Sequence, residues 1–390
     1  MTLNSLHSSD PVRGLIALMI AHIHPPHSVQ RMQRTTPLSA RESARTSALT
    51  LARTLAVALA GGALFKAIHA PLPWMLGPLI ACALANMRGA QLRLPAAGRN
   101  YGQWVIGTVL GLYFTPPVLR QVLGQAPWIA LGVLWAIGLG LAFAWSLRRF
   151  ARVSRETAFF AGSIGGASEM ALLGERAGAR VDQIAASHSL RITLVVLLVP
   201  MVYRLLDLHG SDPYQIGASA VDLRGLAMLT VCTLAAGWLF RWRDWPNAWV
   251  LGPLAVTIVL TGSGQTWSAI PAPMIIAGQL AIGASLGSRF TPEFFEQAPQ
   301  FLMVVAATTL TGMAVTALAA WALSGVAGIA PATLVLATAP GGIAEMSLTA
   351  KTLQLGVPVV TAFHVIRLVA ILTLTPRIYR LVGAWRGWRV

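Results

Sequence analysis

Long apolar segments separated by short polar loops make up most of the chain from about residue 48 onward. Glycines and prolines inside these segments would break soluble helices, but membrane helices tolerate both when neighbouring helices satisfy the freed backbone groups. The pattern predicts an all-α integral membrane protein with about six apolar segments in each half of the chain. In the first half the segments lie near 49–68, 71–87, 101–118, 126–147, 156–174 and 184–206.

The composition supports a membrane protein. The chain has 390 residues, of which 55% are hydrophobic and 11% are charged, and a mean hydropathy of +0.65, which is typical of a polytopic membrane protein. The net charge of +16 comes almost wholly from arginine, because Lys66 and Lys351 are the only lysines. The arginines cluster between apolar segments, where cytoplasmic loops collect positive charge, so we interpret them as topological signals rather than as a nucleic-acid surface.

The N-terminal tail and the two cysteines suggest no metal or redox site. Residues 1–47 are expected to form a disordered basic tail, in which His22, His24 and His27 are more readily explained as solvated residues than as metal ligands. Cys82 and Cys232 lie in apolar stretches and suggest neither a disulfide nor a zinc site. We expect no cofactor, no metal and no catalytic residue.

An internal duplication organises the apolar region. "PWMLGPL" at 73–79 recurs as "AWVLGPL" at 248–254, and "GGASEM" at 165–170 recurs as "GGIAEM" at 341–346. Further matched blocks keep an offset of 175 or 176 residues, and such a repeat decides the fold prediction. The chain is therefore predicted to contain repeat A at 48–206, a polar linker at 207–223 and repeat B at 224–385.

Small residues and capping residues recur in both repeats. Gly107 and Gly111, echoed by Gly283 and Gly287, form small-xxx-small pairs that let helices approach closely. Each pair precedes a Phe-Thr-Pro sequence in which the threonine, such as Thr115, can cap a new helix. We interpret these residues as packing and capping features rather than as ligand contacts.

The arginines predict opposite orientations of the two repeats. In repeat A positive charge precedes the first segment, separates the second from the third and follows the fourth, which places those loops in the cytoplasm. The corresponding loops of repeat B, "TGSGQTWSAIPAP" and "SGVAGIA", carry no charge, and its arginines lie one loop later. Opposite orientation requires an odd number of crossings in each repeat. We predict two inverted tandem repeats with about ten transmembrane helices and two broken or re-entrant segments, those that contain the Gly-Gly pairs.

Ionisable residues at membrane depth are costly, about 2.5–3.5 kcal/mol on insertion scales, so they indicate functional sites. Here they occur at matched repeat positions, and His and Arg spaced by three residues share a helix face. The candidate substrate- or ion-binding residues are Gly165, Gly166, Glu169, His188 and Arg191 in repeat A, and Gly341, Gly342, Glu345, His364 and Arg367 in repeat B.

Two broken segments that enter from opposite sides bring their Gly-Gly pairs near the bilayer midplane. Half-helix N-termini then offer positive charge to an anion, while free carbonyl groups and the two glutamates can bind a cation or carry a proton. The alternative is structural: each glutamate neutralises an arginine and stabilises the packing.

The chain resembles the AbrB family of duplicated bacterial inner-membrane proteins. The resemblance rests on "PWMLGPL", "GGASEM", their copies and the His-Arg pairs of the closing helices, and it covers roughly residues 48–385. It implies a multi-pass inner-membrane protein, and members of the family are commonly labelled regulators of gene expression or ammonia monooxygenases.

Neither label follows from the residues themselves. A monooxygenase would need a histidine cluster for copper, and the histidines outside the tail are few and scattered. No soluble segment is long enough to fold as a DNA-binding domain. We therefore expect a non-enzymatic, transporter-like protein whose partners are the lipid bilayer and a small solute or ion, without direct contact to nucleic acid; a homo-oligomer is compatible with the sequence. The alternative is a membrane sensor that affects gene expression indirectly.

Overall fold

The computed structural model describes residues 40–385 apart from 212, 213, 215, 217–219 and 297. The predicted tail, with His22, His24 and His27, therefore lies almost wholly outside the described residues, as does part of the predicted linker. The described residues from Ser47 onward belong to one compact unit. Within the described residues the chain forms sixteen α-helices and no β-strand, which confirms the all-α prediction.

Of the helices in the described part of the chain, eight precede the polar linker and eight follow it. The first eight are α1 (Ala40–Ala67), α2 (Pro73–Met87), α3 (Ala96–Gly111), α4 (Pro116–Gly124), α5 (Ala126–Phe150), α6 (Arg155–Gly162), α7 (Ala167–Arg176) and α8 (Val181–Leu205). The next eight are α9 (Leu223–Trp242), α10 (Ala248–Gly262), α11 (Ala272–Gly287), α12 (Pro292–Glu296), α13 (Pro299–Ala327), α14 (Pro331–Thr338), α15 (Ile343–Thr352) and α16 (Val357–Trp385).

Six of these helices are long and apolar enough to cross a membrane: α1, α5, α8, α9, α13 and α16. Helices α2, α10 and α11 are also apolar but have only 15 or 16 residues, fewer than the approximately 20 that span a typical bilayer without local thinning. The chain is thus a multi-pass membrane protein. Ten crossings remain a prediction, because length and apolar composition identify six.

Glycines allow α3 and α11 to pack closely against the short helices of the opposite half. A Cβ atom at Gly107 in α3 would overlap the carbonyl oxygen of Val250 in α10. In the same way, a Cβ at Gly283 in α11 would overlap the carbonyl oxygen of Met75 in α2. Any larger residue would force the helices apart, so the predicted packing role of these glycines is confirmed.

The helix ends near these contacts are less regular than predicted. Thr115 occupies the N-cap position of α4 and Pro116 follows it, but the threonine side chain makes no capping hydrogen bond. The capping prediction is therefore right in position and wrong in mechanism. Helices α2 and α10 both begin after a residue in the left-handed conformation, Leu72 with φ 48° and Asn247 with φ 45°.

The long helices also pack across the two halves. Helix α8 contacts α13, α16 contacts α5, and α5 contacts α13. The short helices α6 and α7 pack against α8, whereas α14 and α15 pack against α16. Each Gly-Gly segment is consequently held by the helix that carries the His-Arg pair of its own half.

Candidate functional site

Both Gly-Gly segments are broken helices. In the first half of the chain, α6 ends at Gly162 and α7 begins at Ala167. In the second half, α14 ends at Thr338 and α15 begins at Ile343. Gly166 and Gly342 are the N-cap residues of α7 and α15, and both have extended backbone angles. The predicted helix break is therefore confirmed, and it creates a half-helix N-terminus in each half of the chain.

In each break, a steric contact explains why a glycine stands three residues before the glutamate. A Cβ atom at Gly166 would overlap Oε2 of Glu169, and one at Gly342 would overlap Oε2 of Glu345. Each glutamate is the third residue of its half-helix, from which a carboxylate can fold back over the N-cap backbone as in a capping box. The glutamates therefore place negative charge at the positive ends of α7 and α15.

The first glycine and the methionine of each motif also contact each other. A Cβ at Gly165 would approach Met170 to 3.0 Å, and one at Gly341 would approach Met346 to 2.6 Å. Both methionines are fully buried. The two glycines, the glutamate and the methionine thus form one packed unit, which explains why they recur together in the sequence.

The histidine and arginine of α8 hold the end of α6. His188 Nε2 lies 3.1 Å from the carbonyl oxygen of Phe160, so this nitrogen donates, and Nδ1 accepts from Arg191 at 2.9 Å. Arg191 is 3% exposed. Its guanidinium donates to three consecutive carbonyl oxygens, those of Ala161 at 3.2 Å, Gly162 at 3.3 Å and Ser163 at 2.8 Å.

The corresponding residues of α16 hold the end of α14 with fewer bonds. His364 Nε2 lies 3.1 Å from the carbonyl oxygen of Leu336. Arg367 donates to the carbonyl oxygens of Ala339 and Gly341, both at 2.6 Å. Among the described residues, Nδ1 of His364 and Nε of Arg367 are buried without a hydrogen-bond partner.

These contacts correct one expectation about the breaks. Several carbonyl groups that were expected to be free accept hydrogen bonds from Arg191 or Arg367, and a cation at a helix C-terminus also interacts favourably with the helix dipole. The structural alternative for the glutamates stays a prediction: within the described part of the chain neither Glu169 nor Glu345 forms an ion pair within 4 Å of an arginine, although Arg99 and Arg289 attract the Glu345 carboxylate.

One cavity of about 350 Å³ lies between the two breaks, and we call it the shared cavity. Its volume is within the range of small-molecule sites, roughly 300–1,000 Å³. Eight of the ten predicted site residues line it: Gly165, Gly166, Glu169, Arg191, Gly341, Gly342, Glu345 and Arg367.

The other two predicted residues lie behind this lining. His188 and His364 are fully buried and contact the helix ends described above rather than the shared cavity. They therefore support the breaks from outside the cavity.

Sequence reasoning missed several polar residues that line the shared cavity, among them Arg99, Gln103, Asn247 and Arg289. The two arginines were interpreted as charges of cytoplasmic loops, a signal that does not distinguish a loop surface from a cavity wall. The four-residue spacing of Arg99 and Gln103 places both on one face of α3, which is the signal that could have identified them. Among the described residues no group of three or more His, Cys, Asp or Glu side chains is placed to hold a metal ion.

Comparison with known proteins identifies the family. Residues 74–383 match the family model described as "Transition state regulatory protein AbrB". The chain is 30% identical over 359 residues to "Uncharacterized protein YhjN" of Bacillus subtilis (strain 168), with 85% of this chain and 92% of that protein covered. It is 25% identical over 327 residues to "Putative regulator AbrB" of Escherichia coli (strain K12), with 82% and 93% covered. Because the family model matches most of its length, the chain belongs to the AbrB family.

Proposed function

We propose that the protein is a secondary transporter of a small solute or ion in the bacterial inner membrane, and that the shared cavity is its substrate site. One observation carries the proposal: a single cavity is lined by both helix breaks and by both glutamates. Broken helices whose half-helix ends meet at one site are the arrangement that secondary transporters use to bind solutes and coupling ions.

The proposal includes two inverted repeats with ten crossings. Reciprocal packing supports the repeat, because α3 packs on α10 as α11 packs on α2. The left-handed residues before α2 and α10, Leu72 and Asn247, lie 175 positions apart, as the sequence repeat requires. The arginine distribution supports the opposite orientation of the two halves.

The attachment of the breaks supports a mechanism of alternating access. Arg191 binds the end of α6 to α8, and Arg367 binds the end of α14 to α16. A movement of one closing helix would therefore carry its helix break with it and open the shared cavity to one side. In this mechanism Glu169 and Glu345 bind the coupling ion or proton, while the arginines keep each break intact.

The test is charge movement in proteoliposomes. Purified protein is reconstituted, and solid-supported-membrane electrometry records currents on addition of acetate, pyruvate, succinate, citrate, glutamate, phosphate, ammonium, choline or glycerol under a proton or sodium gradient. We expect gradient-dependent current with at least one of these solutes. Glu345→Gln is expected to abolish it, because the substitution removes the ionisable group and preserves the side-chain shape.

Glu175→Gln is the matched control, since Glu175 is an exposed residue of the same half-helix as Glu169 and does not line the shared cavity. Its current should equal that of the unmodified protein. Full current in Glu345→Gln, with the same elution profile and unfolding temperature, would contradict the proposed site.

A membrane sensor is the second candidate, because the name of the E. coli relative describes a regulator. Saturable binding of a solute to the purified protein without any flux would favour this function. We propose no enzymatic activity. Among the described residues lining the shared cavity there is no histidine or cysteine that could hold copper or act as a nucleophile.

A further inference from the structure

We infer that the shared cavity binds a small organic anion, held by Arg99 and Arg289 in competition with Glu345. The inference names the substrate class and rests on the proposed function for the role of the site. Four arginines and two glutamates line the shared cavity, which leaves a formal excess of two positive charges. An anionic ligand would offset this excess in a place where water screens it poorly.

The four arginines are not equivalent. Arg191 and Arg367 use their guanidinium NH groups on backbone carbonyl oxygens, so they contribute charge but few free donors. Within the part of the chain that the structure describes, the Arg99 side chain makes no hydrogen bond or ion pair, and the Arg289 guanidinium donates only to the Ser189 hydroxyl, at 3.2 Å. Arg99 and Arg289 therefore have the free donors that a carboxylate needs.

These two arginines also lie close enough to repel each other, and Glu345 is the carboxylate that attracts both. Among the described residues, no ion pair within 4 Å joins Glu345 to either arginine. An incoming anion that bound between Arg99 and Arg289 would satisfy both guanidinium groups. It would also compete with Glu345, which provides a physical link between the substrate and the proposed coupling residue.

The rest of the lining favours an organic rather than an inorganic anion. Between the charged groups the walls of the shared cavity are aliphatic, which suits a ligand with an apolar body and a carboxylate end. The aliphatic lining residues are Ile164, Ile192, Val250, Ile282, Leu286, Ile343 and Leu368.

An adjoining cavity gives an approach to Arg289. This side cavity of about 410 Å³ lies beside the start of α8 and shares Ala185, Ser189 and Arg289 with the shared cavity. The hydrogen bond between Arg289 and Ser189 thus lies where the two cavities adjoin. A ligand that entered through the side cavity would meet Arg289 before reaching Arg99.

Isothermal titration calorimetry on the detergent-purified full chain tests the inference with acetate, pyruvate, succinate, citrate and glutamate as carboxylates. Phosphate and sulfate serve as inorganic anions, choline as a cation and glycerol as a neutral solute. We expect at least one carboxylate to bind more tightly than all four comparison solutes. Arg99→Gln and Arg289→Gln should each weaken its binding about tenfold or more, because each removes a charge-assisted hydrogen bond.

Glu345→Gln should have the opposite effect and tighten carboxylate binding roughly three- to tenfold, because a competing negative charge is removed. The matched variant Glu169→Gln should change the affinity less. Arg93→Gln is the control for Arg99, since Arg93 is an exposed arginine of the same basic region and does not line the shared cavity. If a glutamine variant does not fold, Arg99→Lys and Arg289→Lys replace it, with a loss of roughly threefold or more expected because lysine lacks the planar fork.

The possible results separate the two proposals. Arginine-dependent binding of a carboxylate without flux would support the anion site and contradict transport. Flux of ammonium, choline or glycerol that is unchanged in Arg99→Gln would support transport and overturn the anion site. The anion site is also overturned if no carboxylate binds, if phosphate or sulfate binds more tightly than every carboxylate, or if the arginine variants retain full affinity.

Discussion

The two broken segments follow the same backbone course in different surroundings. In α15 most residues are buried, including Ile343 and Ala344 at its start. In α7 only Met170 and Gly174 are buried, and Ser168, which corresponds to Ala344, is exposed. One half-helix is thus packed inside the protein, while its counterpart is less covered by other residues.

The attachment of the two breaks differs in the opposite sense. Arg191 holds the exposed break through three carbonyl oxygens and through His188. Arg367 holds the buried break through two, with its own Nε and Nδ1 of His364 unpartnered among the described residues. The more exposed break depends on hydrogen bonds, whereas the buried break is also supported by surrounding side chains. A repeated sequence can therefore form two elements with unequal stability and access.

Substitution of the two arginines should give the largest changes in stability and should show the difference between the two breaks. Arg191→Met leaves three carbonyl groups and His188 without their donor, so we expect a destabilisation of about 3 kcal/mol or more. Arg367→Met removes two hydrogen bonds and should cost less, about 2 kcal/mol. Urea or SDS unfolding of the purified variants, followed by tryptophan fluorescence, measures both changes.

Arg93→Met, at an exposed arginine, is the control and should be close to neutral. An equal loss in Arg191→Met and Arg367→Met would contradict the proposed difference in attachment. A larger loss for Arg367→Met would reverse it.

Cysteine labelling tests the difference in access. In a chain whose Cys82 and Cys232 are replaced by alanine, Ser168→Cys should react with a membrane-impermeant maleimide roughly tenfold faster or more than Ala344→Cys, because buried positions react only through local opening. Labelling in right-side-out and inside-out vesicles should show fast reaction of residue 168 from one side only.

Complete labelling of both variants after unfolding in SDS shows that each thiol is intact. Similar labelling rates at the two positions in the folded protein would contradict the difference in access between α7 and α15. Fast reaction of residue 344 alone would place the opening at the other break.

The histidines should give the smallest difference. His188→Phe removes two hydrogen bonds, to Phe160 and from Arg191, whereas His364→Phe removes one and eliminates a buried unpartnered nitrogen. We expect His188→Phe to be more destabilising by about 1 kcal/mol. The unfolding measurements used for the arginines detect this difference, with His209→Phe in the exposed linker as a near-neutral reference.

A larger loss in His364→Phe than in His188→Phe would mean that the unpartnered Nδ1 has a ligand in the membrane. Equal losses would show that the carbonyl hydrogen bond, common to both histidines, accounts for the whole contribution of each residue.

Much of the candidate site could be predicted because its residues are repeated and unusual for a membrane segment. Gly166, Glu169 and Arg191 each recur 176 positions later, and charged residues inside apolar segments are costly enough to indicate a role. The partners of the charges could not be predicted. The sequence suggested glutamate–arginine pairing as one alternative, yet Arg191 binds carbonyl oxygens whose positions depend on where α6 ends against α8.

Arg99 and Arg289 show a second limit of the sequence. Their positions beside polar loops predicted a topological role, and that interpretation remains compatible with their side chains lining the shared cavity. They do not occupy equivalent repeat positions, since Ile275 and Tyr113 stand at the corresponding places. A search based on the repeat therefore cannot find them, and only the approach of α3 to the segment after α11 brings them together.

The sequence by itself determined the membrane class, the order of the apolar segments and the positions of the two helix breaks, because these follow from local hydropathy and from glycine's lack of a side chain. The tertiary structure alone decided that both breaks line one cavity, that the arginines bind carbonyl oxygens and that one half-helix is open while the other is packed. These properties depend on contacts between residues distant in the chain, from 26–30 positions for the arginines and their carbonyl oxygens to more than 100 for Gly107 with Val250, and no local pattern encodes the distances in such contacts.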